Sequence, residues 1–169
     1  MAKQIPLSRG QFATVDDADF SFLMQWKWHI KETTTKCYAV RTAYRDGVRQ
    51  EILMHRALMD ADRRQFARID HRDGDGLNNQ RHNLRPATHV QNMHNRQKTQ
   101  GSYSSPYKGV FRVTAWALKK PWRAMIVIDN RHLHLGYFAT EIEAARAYNQ
   151  AAEQYLGAFA RPNQEPGGV

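Results

Sequence analysis

The chain has 169 residues, 25 Lys and Arg against 16 Asp and Glu, a formal net charge of +9, and a single cysteine, Cys37. That length holds one ordinary domain or two small ones with thin cores. One cysteine excludes an internal disulfide framework and any Cys-based zinc ribbon or finger. The charge points to a polyanionic partner, with nucleic acid ahead of membrane because no stretch reads as a transmembrane span, a signal peptide or a basic amphipathic helix. A cytoplasmic protein, in a bacterial or phage-infected cell, is the expectation.

In chain order, residues 5–15 alternate like a strand, and Asp16 or Asp17 then caps a helix with Phe20, Leu23 and Met24 on one face. Trp26 and Trp28 suit core packing better than base stacking. Residues 37–44 and 48–54 flank Arg45-Asp46-Gly47, which predicts a hairpin, and a helical turn at 57–59 follows His55-Arg56. After the polar run at 69–84, Pro86 and Ala87 are expected to break a strand, and Thr88 with Gln91 forms a capping box for a helix. Residues 98–106 are polar and aperiodic, so the domain boundary is placed there. Beyond it, strands are expected at 108–113, 122–129 and 132–138, with a tight turn at Asp129-Asn130-Arg131. A last helix opens with a Thr140–Glu143 capping box, repeats Ala144, Tyr148, Ala151 and Tyr155 on one face, and ends at Gly157. The fold class is α+β. The expected layout is a first domain at 1–97, a linker at 98–106, a second domain at 107–163 and a flexible tail at 164–169.

The chemistry concentrates in IDHRDGDGLNNQRHNL, residues 69–84. An EF-hand loop fails in either register: counted from Asp70 the twelfth position is Arg81, and counted from Asp73 the fifth is Leu77. Zinc held by His71, His82, His89 and His94 matches no common spacing and remains a minor alternative. Phosphodiester hydrolysis accounts for more of the residues. It needs a base near neutrality, which His71 supplies, and a cation to neutralise charge growing on phosphate. Adjacent residues at a strand end point to opposite sides, so Asp70 can hold a metal while His71 faces water. Gly74 and Gly76 turn the chain back, Asn83 can then orient the imidazole, and the Asn92 amide oxygen can complete a magnesium site finished by water and phosphate.

The run Asp70-His71, Asn83, Asn92, with Leu77-Asn78-Asn79 and Asn83-Leu84-Arg85 between, resembles the ββα-metal motif of HNH homing endonucleases, and Met54 to Met59 resembles the His-Arg segment that precedes it. The resemblance covers most of residues 5–97. It implies one divalent ion per active site, Mg²⁺ or Mn²⁺, held by Asp70 and Asn92, with His71 as general base and Asn83 orienting it. It also implies products with 5′-phosphate and 3′-hydroxyl ends. Many relatives carry His where this chain has Asn92, so His89 and His94 stay open as the second ligand. His55 is assigned either to the scissile phosphate or to a bond within the hairpin, and Arg56 and Arg96 are further phosphate candidates.

Ser105 to Val110, Trp122-Arg123-Ala124, Leu135 to Phe138 and Glu143 to Tyr148 together resemble the AP2 domain, over residues 105–163. That resemblance implies a three-stranded sheet, backed by one helix, that enters the DNA major groove. Alternation puts Trp122, Ala124, Ile126 and Ile128 toward the helix and Phe111, Val113, Met125, Val127, His132 and His134 on the other face. Apolar contacts from that face and phosphate contacts from Lys108, Arg112 and Arg123 would read DNA; the alternative is that the face docks on the first domain. The combined expectation is a site-selective, metal-dependent endonuclease acting on double-stranded DNA as a monomer, nicking or cutting sequentially because each chain carries one HNH motif. The alternatives are a DNA-binding regulator without activity and an HNH nuclease of low specificity.

Overall fold

A computed structural model gives the fold over residues 1–59, 68–98, 101–114 and 119–164. It is α+β, with ten strands and four α-helices among the described residues. The chain divides into two compact units, Met1–Asn92 and Met93–Val169. The expected tail lies, after its first residue, outside the described residues.

In the first unit, β1 (Ala2–Pro6) and β2 (Phe12–Asp16) form an antiparallel hairpin. The run read as one alternation over 5–15 is broken by a 3₁₀ turn at Ser8–Gly10, and the alternation holds within the two strands: Ile5, Ala13 and Val15 are buried while Phe12 is exposed. Helix α1 (Asp17–Leu23) follows, with Asp16 at the N-cap position, yet the Asp16 carboxylate makes no cap bond. It accepts instead from the Arg81 backbone N–H at 2.8 Å and from Gln80 Nε2 at 3.0 Å, which correct the expected helix cap into a long-range tether. Leu23 is buried, but Met24 lies past the helix end and is exposed. Trp28 is 2% exposed and donates its indole N–H to the Leu23 carbonyl at 2.8 Å, while Trp26 packs against the same core, as expected for core tryptophans.

A second sheet runs in the order β3 (His29–Glu32), β4 (Cys37–Arg45), β5 (Val48–Leu53). Asp46 and Gly47 turn between β4 and β5 with φ of 51° and 74°; two positive φ angles give the turn whose twist matches the flanking strands. Helix α2 (Met54–Leu58) leaves β5 directly and buries Met54, His55 and Leu58. Then come β6 (Arg68–His71), the loop through Asn79, a 3₁₀ turn at Arg81–Asn83, β7 (Leu84–Ala87) and α3 (His89–His94). The β6–β7 register pairs Asp70 with Arg85 and His71 with Leu84. Pro86 and Ala87 continue β7 rather than breaking it, because in a two-stranded sheet the missing proline N–H can face outward. The Thr88–Gln91 capping box is present, with reciprocal bonds of 2.8 and 3.2 Å.

The second unit is a three-stranded antiparallel sheet, β8 (Val110–Arg112), β9 (Trp122–Ile128) and β10 (Arg131–Phe138), with β9 central, and helix α4 (Glu141–Leu156) packed on it. Asp129 and Asn130, at φ of 48° and 61°, make the tight turn. Thr140 and Glu143 form the full capping box, and Gly157 ends the helix at φ 51°. Val110, Ala124 and Ile126 meet Ala144, Tyr148 and Ala152 in the core, whereas Tyr155 is half exposed and off that face. Gly109 has φ 74°, and a Cβ there would lie 2.1 Å from the Tyr148 ring, so only glycine lets β8 approach the helix. Lys98 Nζ donates to the Ser105 and Tyr107 carbonyls, and Lys108 Nζ to those of His94 and Arg96, so the segment expected as linker is bonded into this unit.

Candidate active site

The β6–β7 hairpin carries Asp70, 1% exposed, and His71, 3% exposed, into the interior of the first unit. Arg85, opposite Asp70 in register, places Nε and Nη2 2.9 and 2.7 Å from Asp70 Oδ2. A carboxylate held this way is oriented by a rigid fork. The loop after His71 is braced by its own side chains. Asp73 accepts from the Asp75 N–H at 2.9 Å, from Asn78 Nδ2 at 2.7 Å and from Asn83 Nδ2 at 2.9 Å. Burial pulls the Asp73 pKa up, but these bonds outweigh it and leave the group below the usual carboxylate range.

Asp70, His71 and Asn92 line one cleft of about 300 Å³, together with His55 and four cationic side chains, Lys31, Lys36, Arg56 and Arg68. His55 and His71 meet edge to face, with ring centroids 4.9 Å apart and an interplanar angle of 90°, and Tyr38 stands 5.9 and 6.1 Å from the two rings. Burial lowers the His71 pKa; a hydrogen bond with Asn79 opposes this, Lys36 adds to it, and Asp73 and Asp70 oppose it. The ring therefore stays neutral, a competent base, to lower pH than a solvated imidazole. His55 is pushed down to about 3, first by burial and then by His71 and Arg56.

Asn83 does not orient His71. Its side chain bonds to Asp73 and to the Asn78 carbonyl, 2.8 Å away, and it is Asn79 Oδ1 that stands 3.4 Å from His71 Nε2. Asn79, fully buried, is thus a site residue that its local sequence did not single out among three nearby asparagines. Asn92 is the residue of α3 that lines the cleft, whereas His89 is exposed at the first turn. His94 belongs to the second unit, where burial and then Lys108 lower its pKa. Among the described residues no group of three or more His, Cys, Asp and Glu side chains is placed to hold a metal ion. Two oxygen donors, Asp70 and Asn92, are of the type that suits a hard, largely hydrated cation.

In the second unit, register places Phe111, Arg123 and Tyr137 side by side on the face away from α4, followed by Met125 with His134 and Val127 with His132. Tyr137, 47% exposed and in ring contact with His134, extends the expected face. Two of the expected phosphate contacts lie elsewhere than on this face. Arg112 pairs with Trp122, on the helix side of the sheet by alternation, and lies 5.9 Å from that ring. Lys108 is turned to the carbonyls of His94 and Arg96 at 2.6 and 3.0 Å, and burial, then Arg161, lowers its pKa to about 8. Arg96 is exposed. No helix among the described residues is long and apolar enough to cross a membrane.

An uncharacterized HNH endonuclease of Acanthamoeba polyphaga mimivirus is 36% identical to this chain over 96 residues. The chain is similar to an HNH nuclease. That match takes in 57% of this chain and 46% of the viral protein, so the chain spans less than half of its relative's length. No family model matches.

Proposed function

We propose that this chain is an HNH-type endonuclease that hydrolyses phosphodiester bonds in double-stranded DNA, and that it is site-selective in the manner of homing enzymes. The observation that carries the reading is the convergence of Asp70, His71 and Asn92 on one cleft rimmed by Lys31, Lys36, Arg56 and Arg68. A basic rim concentrates phosphate, and a buried neutral imidazole takes the proton from water. The water oxygen bonds to phosphorus as the P–O3′ bond breaks, which leaves a 5′-phosphate, and the departing 3′-oxygen takes a proton from solvent. Asp70 and Asn92 would hold one Mg²⁺ or Mn²⁺, which neutralises charge on the phosphate and the departing oxygen when bound. Lys31, Lys36, Arg56 and Arg68 position the backbone, and His55 lines the same cleft. The AP2-like second unit selects the site by laying Phe111, Arg123, Met125, His132, His134 and Tyr137 against DNA, with apolar side chains for thymine methyls and Arg123 for phosphate.

Purified protein on supercoiled plasmid, with Mg²⁺ or Mn²⁺ against EDTA, tests this. His71→Ala is expected to abolish cleavage while DNA affinity stays within about twofold, because the base acts on water and contributes little to holding phosphate. Preserved turnover in His71→Ala refutes the assignment. A DNA-binding regulator is favoured by one observation, the engagement of Asp70 by Arg85; it predicts no cleavage by wild type under any divalent metal.

A further inference from the structure

The buried amide of Asn79 faces two carbonyls, which only accept, and the His71 ring, and together they fix more than its own orientation. Its nitrogen lies 3.2 Å from the Leu77 carbonyl and 3.4 Å from that of Gly76. Carbonyls only accept, so the amide must turn its NH₂ to them and its oxygen to His71 Nε2, 3.4 Å away. That oxygen only accepts as well, so Nε2 must carry the hydrogen and Nδ1 the lone pair. We infer that Asn79 is the positioning residue of the His71 base, holding the imidazole as its Nε2–H tautomer so that Nδ1 is the atom that takes a proton from water. This rests on the role proposed above for His71.

The device is anchored far away in sequence. The Asn79 backbone N–H donates to the Thr14 carbonyl at 2.7 Å, and the Thr14 N–H donates to the Leu77 carbonyl at 2.9 Å, around a parallel bridge between Thr14 and Asn78. Strand β2 therefore clamps both sides of the loop that aims the amide. Asn79 is fully buried, so water does not compete for its oxygen. When Nδ1 gains a proton the Nε2–H bond becomes charge-assisted and strengthens, which favours the protonated ring as the water is deprotonated. Asn83 acts one step removed: it ties Asp73 to the Asn78 carbonyl and so braces the loop that presents Asn79.

The test is long-range ¹H–¹⁵N correlation of the histidine rings in the full chain, in EDTA near neutral pH, for wild type, Asn79→Ala and Asn79→Asp. Wild-type His71 is expected as the Nε2–H tautomer. Asn79→Ala is expected to give a mixture of tautomers and a fall in kcat of roughly 10- to 100-fold with KM for DNA nearly unchanged. Asn79→Asp, which keeps an acceptor, should retain the Nε2–H tautomer. An Nδ1–H ring in wild type overturns the inference, and it does so even where the alanine variant fails to fold. An unchanged tautomer in a folded Asn79→Ala also overturns it. The ring measurement needs no cleavage, so it stands apart from a failure of the His71→Ala test.

Discussion

Replacing His55 by phenylalanine separates what this ring does for the fold from what it does for phosphate. His55 is 5% exposed, packs edge to face on His71, and its Nδ1 has no hydrogen-bond partner among the described residues. Burial, His71 and Arg56 lower its pKa from 6.5 to about 3. Above pH 6.5 the ring is neutral in both folded and unfolded chains and contributes no pH dependence. Between 6.5 and 3 the unfolded chain binds a proton that the folded chain does not, so stability falls as pH falls. At about 1.4 kcal/mol per pH unit, the loss between pH 7 and pH 5 is about 2 kcal/mol from this group. His55→Phe should remove that loss. At pH 7 it should be no less stable than wild type, because a similar ring replaces a buried polar atom that has no hydrogen-bond partner among the described residues. Urea denaturation in EDTA at pH 7, 6 and 5 measures both, and comparing the two proteins cancels the parallel contribution of His71. Equal losses in wild type and variant would refute a buried neutral His55. In the same variant, cleavage lost at undiminished stability places the ring at the phosphate, and cleavage retained places its role within the hairpin.

Two further perturbations probe the loop and the second unit. A Cβ on Gly76 would lie 2.2 Å from the Cys37 carbonyl oxygen and 2.6 Å from the Tyr38 ring, so Gly76→Ala should cost roughly 1–3 kcal/mol in urea denaturation; a neutral effect would mean that the loop does not sit against β4. Lys108→Met should leave the salt dependence of DNA binding unchanged, since its ammonium is spent on the His94 and Arg96 carbonyls, whereas Arg123→Met should lower the slope by about 1; the reverse order would show that Lys108 turns outward to phosphate.

What could be read from sequence is what local chemistry decides. Asp46-Gly47 and Asp129-Asn130 turn where their tolerance of positive φ puts them, and Thr88–Gln91 and Thr140–Glu143 cap helices because both partners sit within one turn. Alternation along β9 likewise separated Ala124 and Ile126 from Arg123 and Val127. Partner choice among similar groups is not local. Asn78, Asn79 and Asn83 offer the same amide within a few residues, and only the docking of Thr14 on the loop selects Asn79 for His71. Lys108 has the composition of a phosphate contact, and it is half-buried because the His94 and Arg96 carbonyls take its ammonium while its own N–H donates to Asn163 Oδ1 at 2.6 Å. The cleft's basic rim has the same origin: Lys31 and Lys36 come from β3 and the turn into β4, outside the run that carries Asp70 and His71. On the proposed function, hydrolysis in this cleft rests on two separable assemblies, a base aimed by β2 through Asn79 and a phosphate-holding rim to which the neighbouring sheet and its turn add Lys31 and Lys36. Damage to the second should weaken DNA binding with the base intact, and damage to the first should slow turnover with binding intact, because neither set of side chains performs the other's task.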